Sequence, residues 1–354
     1  MITSPRPLTV MAAVALAGAL IGACASPEAA AASDAPQRVA TAATGLEVPW
    51  GLAFLPRGGA LVSERDSGRI LLADGRGSTT QVATIRDIDP AGEGGLLGLA
   101  LEPGPDPVWL YAYYTGLQDN RVVRMAWDGS ELGPAQAILT GIPKNTFHDG
   151  GRIAFGPDGM LYVATGDAGD ESAAQDLDSL AGKVLRVSPD GGIPEDNPFP
   201  GSPVFTLGHR NVQGLAFDTQ GRLWASEFGA KDADELNMLT AGGNYGWPIV
   251  EGKGSDPAYI DPVTTWEPTS TASPSGIAVF DGSVYVASLR GQKLWQVPLS
   301  GDDAYRAAAV PLPDLGRLRT VAATPDGRSL WLSTSNRDGR GDPSPRDDRI
   351  IVLR

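Results

Sequence analysis

The sequence predicts an all-β chain folded as a six-bladed β-propeller, its last blade closed by the N-terminal strand. Three observations carry this. An apolar quartet, a short turn and a β-rich run recur six times. "PDG" and "DG" turns join strands of four to eight residues, as antiparallel hairpins require. The chain ends on a third strand, "DDRIIVLR", while "PQRVATAATGL", ahead of the first copy, has the pattern of a fourth.

The copies read "GLAFLPRGGALVSER", "GLALEPGPDPVWLYAYYTG", "RIAFGPDGMLYVATGD", "GLAFDTQGRLWASEFG", "GIAVFDGSVYVASLRG" and "VAATPDGRSLWLSTSN". Their quartets begin at Gly51, Gly98, Arg152, Gly214, Gly276 and Thr320, about 45 to 62 residues apart. Third strands follow most of them, as in "GRILLAD", "GKVLRVSPDG" and "QKLWQVPLSG". Four strands per copy, six times over, make a propeller. A β-sandwich would not explain six regular copies. With 45 Gly and 29 Pro, turns must be frequent and long helices few.

The N-terminus has its own logic. Arg6 is the only charge in residues 1–23, and "TVMAAVALAGALIGA" is an apolar core too short to span a bilayer comfortably. These residues are expected to be an export signal. "LIGAC" resembles the lipobox of bacterial lipoproteins, which implies lipidation at Cys24, the only cysteine of the chain. The expected product is exported and lipid-anchored to the outer face of the bacterial cell membrane. With Cys24 acylated, the folded part has no thiol for a disulfide or a thiolate metal site. Residues 24–35 read as a low-complexity tether and 36–354 as the propeller domain. The net charge of −14 becomes −15 once Arg6 is lost with the signal, a poor balance for nucleic acid.

Strands alternate direction within a blade, so two sets of loops share one face around the central channel. One set holds Trp50, Gly92-Glu93, His148-Asp149, Arg210-Asn211, Ser273-Pro274-Ser275 and Arg317-Leu318-Arg319. The other holds Glu64-Arg65, Asp167, Glu227-Phe228-Gly229-Ala230, Ser288-Leu289-Arg290 and Asn336-Arg337. Arg210, Arg290, Arg317 and Arg319 on one face of so acidic a chain suggest a polyanionic small molecule, because arginine clamps carboxylates bidentately. Of the two histidines, His148 lies on this face, and His209 reads as structural, orienting the loop that presents Arg210.

At this point the residues resemble a known family. "GEGGLLGLAL", "HDGGRIAFGPDGMLYVATGD", "AGKVLRVSPDGGIPEDNPF", "GHRNVQGLAF", "DELNMLTAGGNYGWP" and "GRLRTVAATPDG", in order from about Pro49 to the C-terminus, are similar to the soluble pyrroloquinoline-quinone (PQQ)-dependent sugar dehydrogenases. This is the glucose/sorbosone dehydrogenase group, whose compact aldose dehydrogenases the chain resembles most. The resemblance implies a propeller that holds PQQ over the channel and oxidises the C1 hydroxyl of aldoses to lactones, passing electrons to an unidentified acceptor. It implies that His148 is the general base and that Arg210 and Asn211 contact the quinone's reactive oxygens. It further implies that Arg290, Arg317 and Arg319 bind the quinone's carboxylates. Gly229 and Ala230 match the carbonyls that hold a catalytic Ca2+, and Glu235 and Tyr245 match a structural Ca2+ site. Arg290 falls where lysine is usual, Glu93 where glutamine is common near the cofactor, and Ala230 where proline often stands. Phe147 replaces an aspartate that orients the base in the glucose enzymes.

The chemistry is coherent. Hemiacetal oxidation needs a base near pH 7, which neutral imidazole provides, and a hydride acceptor that no side chain supplies. Two rivals remain: a calcium-dependent lactonase, which needs several converging carboxylates, and a non-catalytic binding propeller. "GDAGDESAAQD" lacks the spacing of a calcium loop and reads as solvated.

Overall fold

The computed structural model describes residues 39–354. The expected signal at 1–23, Cys24 and the tether at 24–35 lie outside the described residues, so they remain expectations.

Six four-stranded antiparallel sheets form. Blade 1 comprises Pro49–Phe54, Ala60–Glu64, Arg69–Ala73 and Thr79–Thr84. Blade 2 comprises Leu96–Leu101, Trp109–Thr115, Asn120–Ala126 and Gln136–Ile142. Blade 3 comprises Ile153–Phe155, Leu161–Ala164, Lys183–Val187 and Val204–Leu207. Blade 4 comprises Val212–Phe217, Leu223–Glu227, Asp234–Leu239 and Thr264–Trp266. Blade 5 comprises Pro274–Phe280, Ser283–Ser288, Leu294–Pro298 and Ala308–Ala309. Blade 6 comprises Leu318–Ala323, Leu330–Thr334, Arg349–Leu353 and, as its outer strand, Val39–Thr44. The first strand of each of these sets is the quartet strand, and these six neighbour one another in a closed ring.

Apolar side chains fill the seams between blades. Leu61 and Ile70 of blade 1 pack on Leu110 and Val123 of blade 2, and equivalent clusters occupy the other five seams. Burying one such side chain contributes roughly 1.5–3 kcal/mol. The expected closure is present. Val39, Ala40 and Thr41 pair with Leu353, Val352 and Ile351. Ala42 and Ala43 are wholly buried beside Trp331 and Ile350. Gly77 of blade 1 donates to the Ala42 carbonyl at 3.0 Å, so this strand also ties blade 6 to its neighbour. The closing strand covers Arg349–Leu353 and is itself the outer edge of blade 6, one of the short edges that a propeller keeps.

Two local features aim side chains into the channel. Quartet glycines let inner strands approach backbone to backbone: a Cβ on Gly98 would lie 2.2 Å from the Gly151 carbonyl oxygen, and one on Gly214 2.5 Å from that of Ser275. Register shifts at the channel-mouth end of the inner strands, at Pro49/Leu52, Val212/Gly214, Pro274/Ile277 and Leu318/Thr320, are bulges. Within them lie Trp50, Gln213, Ser275 and Arg319. A bulge leaves a residue unpaired and turns it out of the pleat, which is how the ladder re-aims these four.

Candidate active site at the channel mouth

A cavity of about 620 Å³ opens at the mouth, lined by Glu93, His148, Arg210, Gly229, Ala230, Asp234, Arg290 and Arg317 among others. A second cavity of about 620 Å³ lies at the other ends of blades 1 and 2, beside Leu55, Trp127 and Val108, away from these groups.

His148 is built first. Its backbone sits in the left-handed region at φ 61°, unusual for a residue with a side chain. Glu93 Oε2 accepts its N–H at 3.0 Å, and its carbonyl accepts the Ala168 N–H at 3.2 Å, so the turn is held from both sides. The imidazole lies edge-on to Phe147, ring centres 4.8 Å apart. Nδ1 is 2.7 Å from Asp167 Oδ1. Asp167 also accepts the Gly169 N–H at 2.8 Å and the Trp247 indole N–H at 2.9 Å. Burial works against its charge, but the hydrogen bonds from His148 and Gly169 win and hold its carboxyl below the usual range. An ionised Asp167 accepts only, so Nδ1 carries the proton and Nε2 is left as the acceptor of a neutral imidazole. The aspartate missing at Phe147 is thus supplied from the neighbouring loop of the same blade. That carboxylate was on the mouth in the sequence, but its pairing was not legible there.

His209 is a different residue. It is fully buried, with Nε2 2.8 Å from Thr206 Oγ1 and Nδ1 2.8 Å from Glu227 Oε2, and it stacks on Tyr245. Glu227 Oε1 in turn accepts the backbone N–H groups of Arg210 and Asn211. His209 therefore orients the Arg210 loop through Glu227.

The expected anion-binding residues divide by depth. Arg210 and Arg290 line the mouth, Arg210 also lying 5.5 Å from the Trp247 ring centre. Arg317 lines it too, but is already paired with Asp338 at 2.8 Å. Arg319 lies deeper, donating to Gln213 Oε1 at 3.1 Å and Ser275 Oγ at 3.2 Å, its Nε buried without a partner. Burial, and then the neighbouring Arg65, push its guanidinium down to about 9. Asn211 is fully buried: its amide donates to Glu93 Oε2 at 3.3 Å and its carbonyl accepts from Gly150 and Gln213. The Glu93 charge is thus shared between His148 N–H and Asn211, with Arg340 3.5 Å from its other oxygen.

The candidate metal ligands form two groups. The N–H of Gly229 donates to Asp234 Oδ1 at 3.0 Å and that of Ala230 to Glu251 Oε1 at 2.6 Å, so what both offer the cavity is carbonyl oxygen. Sequence reading missed Asp234. It is buried, accepts Ser273 N–H at 2.7 Å as well, and burial pushes it up to about 7. A carboxylate so placed would be relieved by a cation at those carbonyls; its position directly before Glu235 was the available signal. Behind lies a cavity of about 10 Å³, lined by Glu227, Glu235, Glu251 and Tyr245. Burial, then Glu227, push Glu235 up to about 8, the mark of acidic groups gathered without a counter-charge. The Tyr245 hydroxyl is taken, donating to Met238 O at 2.8 Å and accepting Thr240 N–H at 2.9 Å, which leaves its main-chain carbonyl for an ion. Among the described residues no three Asp, Glu, His or Cys side chains converge as a metal cluster, so carbonyl oxygens must complete either site. These donor sets suit a hard, oxygen-seeking cation.

The "GDAGDESAAQD" segment is more than a solvated loop. Glu171–Gln175 is a short 3-10 turn with Ala174 fully buried. Lys183 Nζ donates to the carbonyls of Ala173, Ala174 and Ala181 at 2.7, 3.1 and 2.6 Å, and the Gln175 amide pairs with Asn244. The buried Lys183 ammonium, not a solvated surface, holds this segment's main chain.

The chain resembles proteins of known type over nearly its whole described length. The aldose sugar dehydrogenase YliI of Escherichia coli is 30% identical over 335 residues, covering 83% of this chain and 89% of that one. The quinoprotein glucose dehydrogenase B of Acinetobacter calcoaceticus is 34% identical over 255 residues, 60% of this chain and 53% of that one. The structure of the PQQ-bound aldose sugar dehydrogenase from Streptomyces coelicolor superimposes with a TM-score of 0.85 at 51% identity, covering 90% of this chain and 99% of that one. The family model for glucose/sorbosone dehydrogenase matches residues 46–350, and the chain belongs to that family.

Proposed function

We propose that the protein is a PQQ-dependent dehydrogenase that oxidises the C1 hydroxyl of aldoses to lactones. It is an enzyme of the quinoprotein sugar dehydrogenase class. One observation supports the chemistry most: an imidazole whose Nδ1 is committed to an ionised, buried aspartate and whose ring lines an arginine-bordered cavity. Bound in that cavity, the quinone would supply the hydride acceptor and calcium the Lewis acid. His148 Nε2 would take the hydroxyl proton, and Asp167 stabilises the imidazolium that results. Arg290 and Arg317 at the mouth, with Arg319 beneath, would bind the carboxylates, and Arg210 and Asn211 would contact the quinone's reactive oxygens. Glu93 fixes the His148 turn. The carbonyls of Gly229 and Ala230 would hold the catalytic calcium, with Asp234 balancing its charge. Glu235 and the main chain of Tyr245 would hold the structural one. A lactonase would need several side-chain carboxylates converging on the ion, and among the described residues no group of three is placed to hold one.

We also propose export and anchoring through Cys24, on the sequence alone. The reconstitution that tests the enzyme is direct: apo-protein with calcium and PQQ, dye reduction measured across a panel of aldoses. No reduction with any aldose, in protein that remains folded, would reject it.

A further inference from the structure

Four quartets begin with glycine and two do not, and the two exceptions meet. Arg152 of blade 3 donates from a terminal nitrogen to Thr320 Oγ1 of blade 6 at 3.1 Å. It crosses the channel to do so. Its Nε donates to the Gln213 carbonyl of blade 4 at 3.0 Å, and its guanidinium carbon lies 4.1 Å from the centre of the Trp50 ring of blade 1. A Cβ on Gly276 of blade 5 would lie 3.0 Å from the same terminal nitrogen that donates to Thr320, so that glycine makes room for it. Arg319 covers the same indole at 5.6 Å.

Every hydrogen-bond partner of this pair among the described residues is neutral: a carbonyl, two hydroxyls and an amide oxygen. Arg319 Nε has none. Two like charges buried together with no carboxylate bonded to either, only Asp338 and Glu93 acting on Arg319 from farther off, are costly to the folded protein, and an uncharged side chain would fill the channel as well. The charge therefore calls for a use, and it lies behind the arginines of the mouth, four residues along from His148.

We propose that Arg152 is a positioning residue which, with Arg319, keeps fixed positive charge beneath the mouth to receive the carboxylates of the cofactor. This rests on the quinone reading above. Arg152 acts through the Trp50 ring and the Gln213 strand rather than by touching the ligand, and an anion arriving above it relieves the repulsion between the two guanidiniums.

The test is calorimetric titration, in calcium, of the wild type, Arg152→Met and Arg152→Lys with PQQ and with its uncharged trimethyl ester. Loss of the charge should weaken PQQ binding about ten- to a hundredfold, the size of one charge interaction at an effective dielectric near 20. Lysine should restore most of it, and the ester should bind wild type and Met variant alike. Unchanged PQQ affinity in the Met variant, or equal loss for quinone and ester, would make Arg152 a channel plug and overturn the proposal. Absence of heat with wild type and PQQ would instead overturn the quinone reading, and with it the assigned ligand. Should the Met variant fail to fold, Arg152→Gln carries the same comparison.

Discussion

Replacing Asp167 by asparagine changes one oxygen to an NH2 group and nearly nothing in size, and the surroundings make its effect calculable. Two carboxylate oxygens now accept three N–H groups, from His148 Nδ1, Gly169 and Trp247. An amide has one oxygen. Placed toward His148 and Gly169, it turns its NH2 against the Trp247 indole N–H, leaving a buried donor unpaired at a cost of about 1–3 kcal/mol. Flipped, the NH2 faces His148 Nδ1, which becomes the acceptor, so Nε2 carries the proton and is no longer a base. Either arrangement removes the charge that stabilises the imidazolium. Turnover should therefore fall toward the loss expected for His148→Ala, about 10²- to 10⁴-fold, the usual contribution of a positioned base. Quinone affinity should change little. Because the folded-state carboxyl is held below its ordinary value, its stabilisation is full above the unfolded pKa and is lost as pH falls through the folded one. The variant should be less stable than wild type at pH 7, and the gap should close in strong acid. The assays are dye-reduction kinetics with saturating PQQ, calorimetry for affinity, and thermal melts at several pH values. Wild-type turnover in a folded, loaded Asp167→Asn protein would refute the assignment of His148 as a base tuned by Asp167.

Other predictions follow from the same geometry. His209→Gln should keep most of the turnover while lowering the melting temperature, since it cuts a buried link to Glu227; turnover loss equal to that of His148→Ala, with fold and affinity intact, would move the base to His209. Lys183→Met strands three carbonyls and should cost about 2–3 kcal/mol, read by denaturant unfolding, with the fold otherwise retained. Glu235→Gln should abolish the rise in melting temperature that calcium gives the wild type; an undiminished rise would place the stabilising ion elsewhere. Cys24→Ser should release the protein from membranes with its activity unchanged, and equal retention of the mutant would show that the lipobox was misread.

The architecture was legible because it is periodic. Six quartets with DG-type turns admit only one closed arrangement, and the leftover strand at each end of the chain names the blade that the two must share. Strand alternation also places His148, Arg210, Arg290 and Arg317 on one face without any coordinates. What only the tertiary structure decided are the pairings made across loops and blades. Asp167 meets His148 from 19 residues away, Asp338 neutralises Arg317 from 21, and Arg152 reaches Thr320 from 168. Sequence reading treated four arginines as equal members of a ring, whereas folding makes one paired, one deep and two open at the mouth. The reason is physical. Repeats encode hydrogen bonding between adjacent strands, but the direction of each side chain at the rim depends on bulges and on the width of the channel. Those are set only when six different blades close on one another, and that closure turned the Arg152 side chain into the channel.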